Sequence, residues 1–241
     1  MKAVLTGKSL HKSFGKKEVV QGITVRVQQG EIVGLLGPNG AGKTTTFYML
    51  VGVIKPTQGV VEMDGQRITT WPLHERARLG LSYLPQENSV FKKLTVKQNL
   101  QIILEYTDFS PALQRKKAEA LLEELGIAKL ADQKAMHLSG GESRRLVIAR
   151  ALIRDPKFML LDEPFAGIDP LAVDDIQDIV TSLKQKGIGV LISDHNVRET
   201  LKICDRASIV FEGQAIFDGT PEEIVADPRA RKVYLGEDFF L

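Results

Sequence analysis

Cysteine is almost missing from this chain: Cys204 stands alone among 241 residues. No disulfide can form within one chain, which excludes a stapled extracellular scaffold and fits a reducing compartment. Cys204 itself reads as a small buried apolar residue. Long apolar runs are missing too. Nothing approaches the ~20 residues a helix needs to cross a bilayer. The opening MKAVLTGKSLHKSFGKKE is broken by charges and glycines, so it reads neither as a signal peptide nor as a span. If the protein works at a membrane, a partner must hold it there. A dominant charge is also absent: 32 basic residues face 30 acidic ones, a net charge of +2 that does not argue for a nucleic-acid partner. His11, His74, His137 and His195 are scattered without HxxxH spacing, which argues against a protein zinc site. Low-complexity linkers and internal repeats are lacking as well.

What is present is ordinary in amount: 43% hydrophobic and 26% charged residues, in a length that suits one α/β domain. Short apolar runs alternate with longer helical patterns. EIVGLLG (31–37), FMLLD (158–162) and GVLISD (189–194) read as buried strands, and ASIVFEGQAIFDG (207–219) as a hairpin turning at Glu212-Gly213. Buried strands separated by helices predict a parallel sheet covered on both faces. From about Leu84 to Leu138 the pattern is helical with no clear strand, and Ser110-Pro111 supplies an N-cap and first-turn pair. This is expected to be a helical insert of roughly fifty residues packed on one side of the core.

GPNGAGKT, Gly37 to Thr44, matches G-x-x-x-x-G-K-[ST] between a strand and a helix. The glycines let the backbone of Gly37, Pro38, Asn39, Gly40, Ala41 and Gly42 wrap phosphates with N–H groups pointing inward (Pro38, which has none, excepted), and the following helix adds a favourable dipole. Lys43 is expected to reach the β- and γ-phosphates, Thr44 to sit on Mg²⁺, and Thr45 to donate to the α-phosphate. FMLLDEP ends a strand on Asp162 and Glu163. Alone, such a pair is usually a solvated loop. After four apolar residues and with the cradle upstream, Asp162 is a candidate Mg²⁺ holder and Glu163 a candidate to polarise the attacking water.

A second glycine pair stands in LSGGE, Leu138 to Glu142, before another helical stretch. It resembles the signature sequence of the ATP-binding cassette (ABC) ATPases, and the other family marks appear in order around it: Gln86 in YLPQE as the Q-loop glutamine, Asp169 closing AGID as the D-loop and His195 in SDHN as the switch histidine, while Phe14 lies where the family places an adenine-stacking aromatic. Gln86, His195 and Phe14 each have a plainer reading alone, as turn, surface or core residues. The resemblance covers essentially the whole chain. It implies an α/β fold: a P-loop NTPase core of ABC-ATPase type (RecA-like, with an antiparallel β subdomain, about 1–84 and 139–241) and a helical subdomain at about 85–138. It implies ATP and Mg²⁺, catalytic roles for Glu163, His195 and Gln86, metal contacts for Thr44, Gln86 and Asp162, and a head-to-tail, ATP-dependent homodimer. In that dimer Leu138, Ser139, Gly140, Gly141 and Glu142 serve the partner's nucleotide, with N–H donors from Ser139, Gly140 and Gly141. Two residues depart from the family pattern: Glu142 replaces the usual glutamine, and Phe14 the commoner tyrosine.

Long coiled coils between Lys43 and Ser139, which chromosome-organising relatives need, are absent, and translation-associated members usually carry two cassettes where this chain has one. Among transport ATPases the sequence resembles two branches, one importing branched-chain amino acids and one exporting lipopolysaccharide in Gram-negative bacteria. GPNGAGKTTTFYMLVG, YLPQENSVFKKLTVKQNL, LDEPFAGIDP, DHNVRETL and VYLGEDFFL favour the second. That resemblance implies two inner-membrane permease subunits, periplasmic bridge components acting indirectly, and a peripheral position on the cytoplasmic face. Phe91, Lys92 and Lys93 are candidates to line a groove for a permease helix. The alternative is that Phe91 packs in the insert while the lysines are solvated. The ending EDFFL is expected to dock on the domain.

Overall fold

A computed structural model describes residues 2–87, 89–236 and 239, with only the backbone of Pro170 and Leu171. Two sheets carry the chain. In the first, β1 (Val4–Phe14), β2 (Lys17–Gln28), β4 (Gln58–Met63) and β5 (Gln66–Arg67) run antiparallel in the order β2-β1-β4-β5. In the second, β3 (Ile32–Leu36), β6 (Leu81–Leu84), β7 (Phe158–Asp162), β8 (Gly189–Ser193), β9 (Arg206–Phe211) and β10 (Gln214–Gly219) take the order β10-β9-β3-β8-β7-β6. Only β10 is antiparallel there, joined to β9 through Glu212 and Gly213, both at positive φ, as a two-residue hairpin turn requires.

The three predicted strands β3, β7 and β8 are buried along their whole length. Such continuous apolar runs mark a parallel sheet covered on both faces. Alternate residues leave on opposite sides. Phe158 and Leu160 pack with Phe47 and Leu50 of α1 (Lys43–Val51) and with the antiparallel sheet. Met159 and Leu161 join Leu146 and Ile148 of α5 (Gly140–Leu152) and Ile176 and Val180 of α6 (Pro170–Gln185).

Between β5 and β6 lies the short helix α2 (Leu73–Arg78), which the apolar pattern does not announce. Its Arg76, 1% exposed, gives its guanidinium to the carbonyls of Met49, Leu50, Thr69 and Trp71. A cation thereby closes the carboxyl end of α1, where the helix dipole is negative. Burial lowers the Arg76 pKa to about 10.

The insert is helical as expected, with α3 (Val96–Leu104) opened by a Thr95/Gln98 capping box and α4 (Pro111–Glu124) by Ser110. An isolated antiparallel bridge, Thr95 to Lys134, closes its base. Its division from the core is one of element type, because the packing is continuous: Leu100 and Leu121 share one apolar cluster with Leu146 and Met159. Beyond β10, α7 (Val197–Leu201, after β8) and α8 (Pro221–Ala226) cover the remaining edge with Leu201 and Ile224, and Phe239 packs against them.

The consequence for function is positional. β6, β7, β8, β3 and β9 are parallel neighbours, so the loops after β3, β6, β7 and β8 open at one edge of the sheet. Parallel α/β sheets bind ligands outside the carboxyl ends of their strands.

Candidate active site

The loop after β3 is the glycine-rich stretch. A Cβ on Gly37 would stand 2.0 Å from the Val210 carbonyl oxygen, so no side chain fits there. Gly40, at φ 78, has open space around it, where a ligand can approach the backbone. The cavity this loop encloses is about 150 Å³ and is lined by Val19, Asn39, Gly40, Gly42, Lys43, Thr44, Thr45 and Glu163. Lys43 is buried, and its ammonium donates to the carbonyls of Gly37 (2.7 Å) and Pro38 (3.0 Å). Burial lowers its pKa, against the pull of the Glu163, Asp162 and Asp194 carboxylates.

Asp162 ends β7 at 2% exposure. The Ser193 hydroxyl donates to its Oδ1 at 2.5 Å and the Tyr83 hydroxyl to its Oδ2 at 3.3 Å. Burial raises its pKa, and the Ser193 bond works the other way. Glu163, next in line, has φ 47, a left-handed backbone that a non-glycine residue adopts only under restraint. The restraints are visible. Its N–H donates to the Ser193 carbonyl at 2.7 Å, and its own carbonyl accepts from Arg144 at 2.8 Å. The turn aims the carboxylate into the phosphate cavity. There Gln86 Nε2 donates to Glu163 Oε2 at 2.7 Å, and His195 Nδ1 lies 3.6 Å from the same oxygen. Three motifs from three loops thus meet on one carboxylate.

Sequence reasoning missed several supports of this cluster. Arg144, 2% exposed, also donates to the carbonyls of Pro85, Asp162 and Pro164, so one guanidinium fixes the approach to Gln86 and both sides of Glu163. Asp194 is wholly buried between β8 and His195. The Tyr234 hydroxyl is buried beside the Gly37 backbone, and burial pushes its pKa up to about 12. No motif spacing announces these residues. Their only sequence signal is polarity inside apolar surroundings.

The second glycine pair does not enter the cavity: none of residues 138–142 lines it. Ser139 caps α5, its hydroxyl accepting the Glu142 N–H at 3.2 Å, while Glu142 Oε2 accepts the Ser139 N–H at 2.8 Å. This corrects one expectation. The Ser139 N–H is already spent on Glu142, which leaves the Gly140 and Gly141 N–H groups and the Ser139 hydroxyl to face outward. The capping box also accounts for Glu142, since it takes Glu or Gln alike and a carboxylate gains from the helix N-terminus. Gly140 and Gly141 lie against Gly167 and Ala172, on either side of Asp169.

Phe14 is 53% exposed, with Lys12 Nζ 5.2 Å from its ring centroid. One face of the ring carries the ammonium. Phe91, 43% exposed, lies outside the insert's apolar cluster, and the Arg150 guanidinium stands 5.0 Å from its ring. Beside it a cavity of about 170 Å³ between core and insert is lined by Tyr83, Ile103, Val147 and Arg150 among others. Phe91, Lys92 and Lys93 are all exposed, and none of the three is among its lining residues. In the terminal stretch, Phe239 docks, with Arg198 over its ring at 5.7 Å. Phe240 and Leu241 lie outside the described residues.

No helix among the described residues is long and apolar enough to cross a membrane. No group of three or more His, Cys, Asp or Glu among them could hold a metal. A cation bound here would need phosphate oxygens to complete its shell, as Mg²⁺ commonly does.

A parallel sheet with a glycine-rich phosphate loop, an acidic strand end and a glutamine and histidine meeting on it defines a P-loop nucleoside triphosphatase. Its second, outward glycine pair narrows the class to ATP-binding cassettes. A family model described as ABC transporter matches residues 20–166, and one described as branched-chain amino acid ATP-binding cassette transporter matches 216–239. The chain belongs to the ABC transporter family of ATP-hydrolysing subunits. It is similar to the lipopolysaccharide export system ATP-binding protein LptB of Haemophilus influenzae, 52% identical over 99% of this chain and 100% of that one. The protein of the same description from Escherichia coli K12 is 53% identical with the same coverage. Among solved structures, the ADP conformation of MJ1267, an ATP-binding cassette of an ABC transporter, superposes with a TM-score of 0.87 at 31% identity, covering 98% of this chain and 100% of that one.

Proposed function

We propose that this chain is the ATP-hydrolysing subunit of an ABC transporter that moves lipopolysaccharide out of the inner membrane. Identity of 52–53% along nearly the full length to export-system subunits carries the choice of substrate. The meeting of Gln86 and His195 on Glu163 beside the phosphate loop carries the chemistry.

The Gly37–Thr45 loop binds the triphosphate, and Phe14 stacks the adenine on the face that Lys12 leaves free. Lys43 turns from the loop carbonyls to the phosphates. Thr44 and Asp162 hold Mg²⁺, with the Gln86 oxygen as a further ligand because its amide nitrogen is engaged on Glu163. Mg²⁺ supplies charge neutralisation along the phosphates. Glu163 accepts the proton of the attacking water, and His195 orients that water and contacts the γ-phosphate. Ser139, Gly140 and Gly141 of one subunit close over the nucleotide of the other, and Asp169 crosses the same interface. Closure of the head-to-tail homodimer moves the two inserts and, through grooves near Phe91, a pair of inner-membrane permease subunits. The chain sits on the cytoplasmic face, held by those subunits, and periplasmic bridge components act downstream.

A second reading, import of branched-chain amino acids, has one observation in its favour, the match of residues 216–239 to that family. Copurification from detergent-solubilised membranes separates the two. Lipopolysaccharide-export subunits are expected, and amino-acid permease subunits in their place would overturn the substrate assignment. For the chemistry, Glu163→Gln should bind ATP yet lose turnover by about 10²-fold or more. Near-normal steady-state turnover removes Glu163 from the reaction.

A further inference from the structure

Asp194 precedes the switch histidine in SDHN and has no part in the chemistry proposed above, yet it is fully buried between β8 and that histidine. A buried carboxylate is costly unless its oxygens are satisfied. Here they go to two different loops. Oδ1 accepts the Asn196 N–H at 2.8 Å and lies 3.5 Å from His195 Nδ1. Oδ2 accepts the Phe165 N–H at 3.0 Å, from a residue 29 positions earlier. The first bond is the local turn that any Asp or Asn makes with the backbone two residues on. The second bond is not local, and turn formation does not explain it.

Phe165 opens the segment that runs to Asp169. Within that segment Gly167 lies against the signature glycine Gly140. One carboxylate therefore grips both the loop leading to the dimer-facing aspartate and the loop carrying the histidine. It is the outermost of three links between the ends of β7 and β8. The others are the Ser193 hydroxyl on Asp162 and the Glu163 N–H on the Ser193 carbonyl.

We propose that Asp194 is a positioning residue for hydrolysis: it clasps the Phe165–Asp169 segment to the switch loop, so that a shift in the segment moves His195 relative to Glu163. Arrival of a second subunit at Asp169 then sets the histidine, and turnover is tied to dimer closure. This rests on the roles given above to Glu163, His195 and Asp169.

Asp194→Ala removes both bonds. Asp194→Asn keeps the shape but puts a donor NH2 at one of the two positions where an oxygen accepts an N–H, so it cannot hold both loops. Both are made in the full chain, with thermal unfolding to establish that each folds. The expected result is a kcat lowered about 10- to 100-fold, with ATP affinity within about twofold of the parent, a split that marks a transition-state role. The Asp169→Ala/Asp194→Ala double variant should fall no further than the worse single one, because both act through one segment. The clasp is overturned by turnover of Asp194→Ala within about twofold of the parent while His195→Ala fails, or by losses that multiply in the double variant. Loss of ATP binding in step with kcat also overturns it, assigning Asp194 to the fold. Near-normal turnover of His195→Ala would sink the underlying reading of the histidine and is distinguishable from each of these.

Discussion

Asp162 shows at the scale of one residue how function opposes stability. Burial raises its folded-state pKa, so the neutral acid suits the fold better than the carboxylate that the proposed Mg²⁺ contact would require. The sign follows from linkage. A group with a raised folded pKa contributes stability that is complete below its unfolded value and lost as pH rises through the folded one. Above the folded value that stability is gone. Asp162→Asn, which cannot ionise, should therefore gain in unfolding temperature relative to the parent as pH rises through that value, with the gap closing as pH falls below the ordinary carboxylate range. It should also lose Mg²⁺-dependent hydrolysis. Thermal unfolding across pH checks this, and a variant less stable at every pH contradicts it.

Glu163 and Glu142 mark the limits of reading residues from sequence. The position of Glu163 after four apolar residues was legible because a strand end next to a phosphate loop has little freedom. Its left-handed backbone was not, since nothing in FMLLDEP encodes φ 47, and the restraint comes from Ser193 and Arg144 far along the chain. Glu142 looked anomalous beside a family glutamine. The capping box dissolves the anomaly, at the expense of the Ser139 N–H as a donor to the partner's nucleotide.

Among the elements, the parallel strands and the Ser110-capped helix were legible, because continuous apolar runs and cap residues are local signals. The short helix α2 and its buried Arg76 were not: HERARLG reads as a solvated stretch, and only tertiary contact brings it beneath α1. Arg76→Met should leave four carbonyls without their donor and cost about 2–4 kcal/mol of stability. Denaturant unfolding measures this, and a change below about 0.5 kcal/mol, the size of an ordinary surface effect, would mean that the guanidinium does not hold the helix end. Phe91 stands half-exposed with the Arg150 guanidinium over its ring, a pairing no local sequence signal announces. Phe91→Ala should weaken copurification with the permease subunits while the unfolding temperature stays within about 2 °C, since a half-exposed side chain holds little of the fold. Unchanged copurification returns Phe91 to a structural role.

For the whole molecule, the fold supplies half a site. The phosphate cavity is lined by the loop and Glu163, with His195 beside that carboxylate, and the signature residues of the same chain do not line it. A γ-phosphate gripped only by its own loop leaves oxygens open, and a second subunit offering the Gly140 and Gly141 N–H groups and the Ser139 hydroxyl can close over them. ATP then acts as the adhesive between subunits, and loss of the γ-phosphate releases it. The most direct measurement of this claim is the mass of the protein in solution by light scattering with Mg-ATP, in the Glu163→Gln background that preserves the nucleotide. A dimer is expected there, and a monomer with intact ATP binding once Ser139→Arg is added. A double variant that dimerises normally with ATP would contradict the account.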